Sequence, residues 1–295
     1  MKILRTPESR FENLKDYNFE PHYFDVQHEG ETLRMHYLDE NPLSDEVVLL
    51  LHGEPSWSYL YRHIIPILTQ AGKRVIAPDL IGFGKSDKLA ERSDYSYASH
   101  INWTTQLADH LNLSNMILFA QDWGGLIGLR ILAANPEKFS GLVVSNSGLP
   151  VGVDAGEGFN QWLNFSQTVE DFDSGKIVYH GSMKKIDEAE MAAYNAPFPD
   201  ESFKAGPRVF PTLVPITKEH PQVQENIDAW EALKNFDKPT IAIFGEHDAS
   251  FRDQDKFIIE KITGAKGMNH QRIKAGHFSQ ENQPELIAET ILSIN

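Results

Sequence analysis

Residues 47–51 form a short, continuously apolar run that ends in His52-Gly53, the pattern of a strand buried on both faces of a parallel sheet. The same pattern recurs at 74–78, 116–120, 141–145 and 240–245, each segment rich in Val or Ile and closed by a turn residue or a polar cluster. Residues 271–273 predict one more, terminal strand. Between these runs lie stretches of helical period, at 59–71, 99–111, 125–135 and 284–294. Strands alternating with helices predict an α/β fold, a doubly wound and mostly parallel sheet. Residues 23–26 and 33–38 alternate polar with apolar positions and predict an antiparallel opening to it.

The alternation stops between 148 and 222, where glycines, aromatics and prolines such as Pro197, Pro199, Pro207, Pro211 and Pro215 replace it. That break predicts an insertion, a helical cap over 148–222, with 1–147 and 223–295 folding as one core domain. The insertion carries Phe159, Phe165, Phe172, Phe198, Phe203 and Phe210, some to line an apolar pocket for a small ligand and some as plain core.

Composition narrows the chemistry. The chain has 295 residues, 41% of them hydrophobic and 23% charged, within the range of ordinary globular proteins. A chain of this size buries roughly 75% of its unfolded surface and needs no staple. It has no cysteine, which excludes disulfides, thiolate metal sites and a cysteine nucleophile. With 42 acidic against 27 basic residues the formal charge is −15, so nucleic acid and anionic membrane surfaces are unfavourable partners. The opening Met1 to Glu8 breaks into charge and proline, and no stretch approaches the roughly 18 apolar residues of a membrane span. A cytoplasmic chain is expected, and a monomer.

The most informative segment is Ala120-Gln121-Asp122-Trp123-Gly124-Gly125, where a buried strand runs into a helix through small residues. It has the form of a nucleophile elbow with Asp122 in the place of the serine of G-x-S-x-G. Small neighbours suit a strained central residue and close strand–helix packing. Taken alone, an aspartate capping the next helix is as good a reading. Its companions favour catalysis. Such a nucleophile needs a histidine base and an acid to orient it, in the chain order nucleophile, acid, histidine. Asp248 follows the strand 240–245, and His277 follows the strand 271–273 in Ala275-Gly276-His277-Phe278. Glu246 and His247 are alternatives if the strand ends elsewhere, and Asp154 is the fallback acid. Ser145-Asn146-Ser147-Gly148 offers no carboxylate. Glu54, after the first buried strand, and Trp123, after the nucleophile, stand where backbone N–H groups would form an oxyanion hole. Gly82-Phe83-Gly84-Lys85-Ser86 mimics a phosphate loop but has Asp79 where that motif requires glycine.

These motifs together resemble the α/β-hydrolase fold, and within it the haloalkane dehalogenases that place the catalytic acid after the penultimate buried strand. The resemblance runs nearly end to end. It rests on His52-Gly53-Glu54-Pro55-Ser56-Trp57, Pro78-Asp79-Leu80-Ile81-Gly82-Phe83-Gly84-Lys85-Ser86-Asp87, Gln121-Asp122-Trp123-Gly124-Gly125, Asn195-Ala196-Pro197-Phe198-Pro199-Asp200 and Ala275-Gly276-His277-Phe278. It implies Asp122 as nucleophile, Asp248 as acid and His277 as base. It also implies a halide site made of two indole N–H groups, from Trp123 and from Trp162 in Gly158-Phe159-Asn160-Gln161-Trp162. Phe159, Leu126 and Phe165 are assigned to the substrate pocket. The implied partners are a small, apolar, uncharged haloalkane and the halide product, and neither a metal nor an organic cofactor is called for. Two other readings remain. An epoxide hydrolase would need cap tyrosines, of which Tyr179 and Tyr194 are available. A non-catalytic ligand-binding relative would not need an intact triad.

Overall fold

A computed structural model of the chain describes residues 1–251 and 253–294. The strands are β1 (Ile3–Leu4), β2 (His22–His28), β3 (Glu31–Glu40), β4 (Val47–Leu51), β5 (Arg74–Pro78), β6 (Lys88–Leu89), β7 (Met116–Gln121), β8 (Phe139–Ser145), β9 (Thr240–Gly245) and β10 (Gln271–Ile273). The helices are α1 (Ile65–Gln70), α2 (Tyr97–His110), α3 (Trp123–Ala134), α4 (Glu157–Thr168), α5 (Ser174–Gly181), α6 (Glu188–Asn195), α7 (Ala205–Val209), α8 (Val223–Leu233), α9 (Gln254–Lys261), α10 (Ser279–Asn282) and α11 (Pro284–Leu292). Eight strands form one sheet in the order β10-β9-β8-β7-β4-β5-β3-β2. It is parallel from β10 to β5, with β3 antiparallel to both β5 and β2. This is the doubly wound, mostly parallel sheet that the alternation predicts and the architecture that the resemblance to α/β-hydrolases implies. β1 and β6 pair separately and are too short to leave a periodic signal.

Because successive side chains of a strand point to opposite faces, each central strand feeds two cores. Val47, Leu49 and Leu51 join a cluster that includes Trp103, Trp123 and Leu126, whereas Val48 and Leu50 join one that includes Tyr61, Ile243 and Ile287. All five residues of β4 are buried. Removing an aliphatic side chain of this kind from water is worth about 1.5–3 kcal/mol, so burial on both faces holds the strand at the centre of the sheet.

The helix expected over 59–71 is shorter. The chain makes one 3-10 turn at Ser58–Tyr61, and α1 begins only at Ile65. Pro66 has no N–H to donate and clashes inside a helix, so it is accommodated in the first turn instead. Conversely, α2 starts two residues earlier than its apolar period, because the Ser96 side chain caps it by accepting from the N–H of Ser99 at 3.0 Å. Among the described residues no helix is long and apolar enough to cross a membrane.

Helices α4 to α8 fill the chain between β8 and β9. Side-chain bonds fasten the middle of this stretch to the rest. Trp57 Nε1 donates to Ala193 O at 3.2 Å, Thr6 Oγ1 to Pro197 O at 2.7 Å, and Tyr194 Oη to Glu281. Arg62 is buried and donates to Glu281 at 2.5 and 3.0 Å and to Glu190 at 3.1 Å.

Candidate active site

The parallel register brings the carboxyl ends of the central strands to one edge of the sheet, where α/β sheets bind ligands. Leu51 pairs with Ala120, Gln121 with Ser145, and Ile273 with Gly245. Loops leaving β4, β7, β9 and β10 therefore deliver Glu54, Asp122, Asp248 and His277 to neighbouring positions.

Asp122 sits between β7 and α3 at φ 52° and ψ −127°, a region costly for any residue with a Cβ. The fit around it explains the glycines that follow. A Cβ at 124 would overlap the carbonyl oxygen of Leu51, and one at 125 would overlap Ser147 Oγ. Asp122 occupies the N-cap position of α3 but makes no side-chain cap bond. Its Oδ1 instead accepts from the N–H of Glu54 at 2.7 Å, and the Trp123 N–H also points at the carboxylate. Ser147 Oγ donates to Asp122 O at 2.7 Å and fixes the elbow from below. Burial raises the Asp122 pKa, opposed by the nearby His277 and by these two N–H donors.

His277 stands across from it. Its Nε2 lies 3.6 Å from Asp122 Oδ2, and its Nδ1 is 2.9 Å from Asp248 Oδ2. Asp248 is buried, and its other oxygen accepts from the N–H groups of Ser250 at 2.7 Å and Phe251 at 3.3 Å. Burial works to raise the Asp248 pKa, but His277 and these bonds outweigh it and hold the carboxylate below its usual value. Burial likewise works to lower the His277 pKa, yet the Asp248 and Asp122 carboxylates push it up to about 9.

The structure thus brings Asp122, Asp248 and His277 together. Glu246 and His247 are exposed, although His247 reaches the cavity wall, and Asp154 is bound to the Gly156 N–H and Asn160 at an exposed position instead of to the histidine.

The site opens into a cavity of about 830 Å³. Trp123, Trp162, Leu126, Phe159 and Phe165 lie along its walls. Phe165 is 43% exposed and stands toward the outside, while Phe172, Phe198 and Phe210 are buried elsewhere as core. The two wall tryptophans differ from the others. Trp57 and Trp230 commit their indole N–H groups to the carbonyls of Ala193 and Leu149, and Trp103 is fully buried away from the cavity. Glu54 is also buried at the cavity floor. Burial and then the Asp122 charge push its pKa well above the carboxylate range, with the Trp162 indole opposing them. Among the described residues no tyrosine lines the cavity. Tyr194 is fully buried on Glu281, and Tyr179 lies off the wall, so neither cap tyrosine faces Asp122.

Sequence reasoning missed three contributors. Phe251 stacks on the His277 ring at 6.0 Å between centroids, Asn146 Nδ2 donates to His277 O at 2.8 Å, and Gln121 Nε2 approaches His277 Nε2 at 2.9 Å. Gln121 ends β7 and Asn146 directly follows β8, and an amide at the end of an apolar run is a usable signal; Phe251 leaves none.

The sequence matches the family model described as alpha/beta hydrolase fold over residues 46–284. It is 52% identical over 295 residues to a haloalkane dehalogenase of Psychrobacter cryohalolentis, covering 99% of this chain and 97% of that one. The chain belongs to the haloalkane dehalogenase family. A second member of that family, from Mycolicibacterium paratuberculosis, is 48% identical, covering 99% of this chain and 98% of that one. Among solved structures, the tetrameric haloalkane dehalogenase DpaA from Paraglaciecola agarilytica NO2 superposes with a TM-score of 0.92 at 37% identity. That match covers 99% of this chain and 98% of that one.

Proposed function

We propose that this haloalkane dehalogenase cleaves carbon–halogen bonds of small uncharged haloalkanes by a two-step reaction through an ester on Asp122. The observation that carries the reading is the placement of Asp122: a strained carboxylate, unused as a helix cap, between two backbone donors and a histidine. Oδ1 already accepts the Glu54 N–H, so Oδ2 is the oxygen left to attack. It bonds to the sp3 carbon in line, and the halogen departs with the bonding pair. An ionised carboxylate does this at neutral pH without losing a proton first. The departing halide takes the indole N–H groups of Trp123 and Trp162, neutral donors that offset desolvation yet permit release.

In the second step His277 Nε2 removes a proton from water, whose oxygen adds to the Asp122 carbonyl carbon. The carbonyl oxygen is Oδ1, so the oxyanion forms where the Glu54 N–H already points, with the Trp123 N–H directed at the same carboxyl group. Asp248 orients the imidazole and balances its charge. Collapse breaks the bond from the Asp122 carboxyl carbon to Oδ2, which leaves on the alkyl group and takes the proton back from His277 as the alcohol, so the regenerated carboxylate keeps the water oxygen.

Residues 148–222 act as the cap that closes the cavity, with Phe159, Leu126 and Phe165 bounding the alkyl chain. Every residue in the scheme comes from one chain, so a monomer suffices for the chemistry. Incubation with 1-bromobutane in the presence of a chelator tests the reading: bromide and butanol should appear in equal amounts. Turnover of epoxides with no halide release from bromo- and chloroalkanes would replace it.

A further inference from the structure

Gln121, the last residue of β7, is fully buried and makes contacts that the two-step scheme does not use. Its Nε2 lies 2.9 Å from His277 Nε2 and 3.2 Å from His277 O. Its Oε1 is buried with no partner. With Nε2 of His277 unprotonated, as the hydrolytic step requires, these contacts decide the orientation of the amide. As placed, its two hydrogens serve the backbone carbonyl and the ring nitrogen. Turned over, Oε1 would press against the His277 carbonyl and both N–H groups would lose their acceptors, which is worse than one unpartnered carbonyl oxygen. An amide hydrogen therefore points at the lone pair of His277 Nε2, and that contact is attractive only while Nε2 carries no proton.

We propose that Gln121 is a positioning residue for the hydrolytic step: it holds His277 as the neutral imidazole protonated on Nδ1, and the attacking water then displaces the amide N–H from Nε2 and gives its proton to the freed lone pair. Asp248 fixes the other nitrogen as donor, so the two residues specify the tautomer between them. The carboxylates of Asp122 and Asp248 favour the imidazolium in the resting site. Alkylation converts Asp122 to a neutral ester and removes one of those charges. The Gln121 amide then tips the balance to the free base at the stage that needs it. This rests on the two-step reading above but makes a separate claim about His277.

Other titratable and charged groups face the same ring. Asp122 comes from the elbow, Asp248 from the loop after β9, and Glu54 from the loop after β4, while His180 of α5 and His247 line the cavity. A change confined to Gln121 leaves all of them in place. Gln121→Met keeps the approximate volume and removes the donor, and Gln121→Glu replaces it with an acceptor.

One hydrogen bond gained by the imidazole and denied to the imidazolium corresponds to about one pH unit. With 1-bromobutane in single turnover, the alkylation rate of Gln121→Met should stay within about threefold of the parent. The acid limb of ester hydrolysis should move up by about one pH unit, and further in Gln121→Glu. Slower hydrolysis at every pH with an unmoved limb would reduce Gln121 to a structural role and overturn the proposal.

A second measurement is independent of turnover. In Asp122→Ala, which mimics the uncharged ester, the 15N resonances of His277 should titrate about one unit lower with Gln121 present than in Asp122→Ala/Gln121→Met. Equal titration in the two proteins would overturn the proposal even if the parent dehalogenates. Absence of halide release from the parent would instead count against the two-step reading.

Discussion

A carboxylate held at a positive φ and aimed at backbone N–H groups can attack carbon directly, but it cannot hydrolyse its own ester, so in the proposed reaction the two acids and the histidine divide the labour. Asp248→Asn should leave ester formation largely intact. It should slow ester decay by about two to four orders of magnitude, as losing the orienting carboxylate does in related triads, and rapid-quench mass measurements distinguish the two steps. Trp162 is tested by a change that keeps its bulk. Trp162→Phe removes one of two donors to a desolvated anion, which should weaken bromide binding about 10- to 100-fold. Saturable quenching of tryptophan fluorescence by bromide reads this affinity, and thermal unfolding should change little. If Trp57→Phe or Trp230→Phe weakened binding instead, the halide ligand would be misassigned, although both those indoles are committed to backbone carbonyls.

At the scale of elements, the strand ends place the chemistry and the helix between β8 and β9 that bears Tyr194 locks over it. Glu281 lies in α10, four residues beyond His277, and accepts from buried Arg62 at 2.5 and 3.0 Å and from Tyr194 of α6. Removing one partner of a buried pair typically costs about 3–5 kcal/mol. Glu281→Gln should therefore lower stability by about 3 kcal/mol, near the low end because Arg62 keeps Glu190. Chemical denaturation measures this, and a loss below about 1 kcal/mol would show that the junction is held elsewhere. The central strands are legible because runs of about three to five apolar residues closed by a turn have few other uses, and the elbow because only small residues pass a strained turn. The helix over 59–71 was misjudged because apolar periodicity persists through Pro66, which the backbone cannot ignore. Between 148 and 222 the helices are short and only partly apolar, so periodicity marks an insertion without resolving α4 to α7. Phe251 meets His277 only through tertiary structure. Gln121 was visible as an amide beside the nucleophile, yet nothing in the sequence says which atom of His277 it faces.

Across the whole molecule, a fully buried carboxylate with a depressed pKa ties stability to pH. Asp79 is fully buried, lies 2.7 Å from His36 Nδ1 and accepts from the N–H groups of Ser58 at 2.8 Å and Lys85 at 2.7 Å. Burial opposes its charge, but His36, His52 and the Lys85 N–H hold the pKa far below the usual carboxylate value. A depressed carboxylate contributes stability that is complete above its unfolded pKa, about 3.9, and is lost as pH falls through the folded value. The Asp79 contribution to the melting temperature should be complete above about pH 5 and fall away below about pH 4. Asp79→Asn should narrow its gap to the parent in that acid range, and a pH-independent gap would contradict the assignment. The central claim, a covalent ester on Asp122, is tested most directly in His277→Gln, where ester formation survives and its base-assisted hydrolysis does not. Intact-protein mass spectrometry after incubation with 1-bromobutane should show a single butyl adduct, mapped by peptide analysis to Asp122 and absent from Asp122→Ala. An unmodified protein, or an adduct on any other residue, would contradict the account.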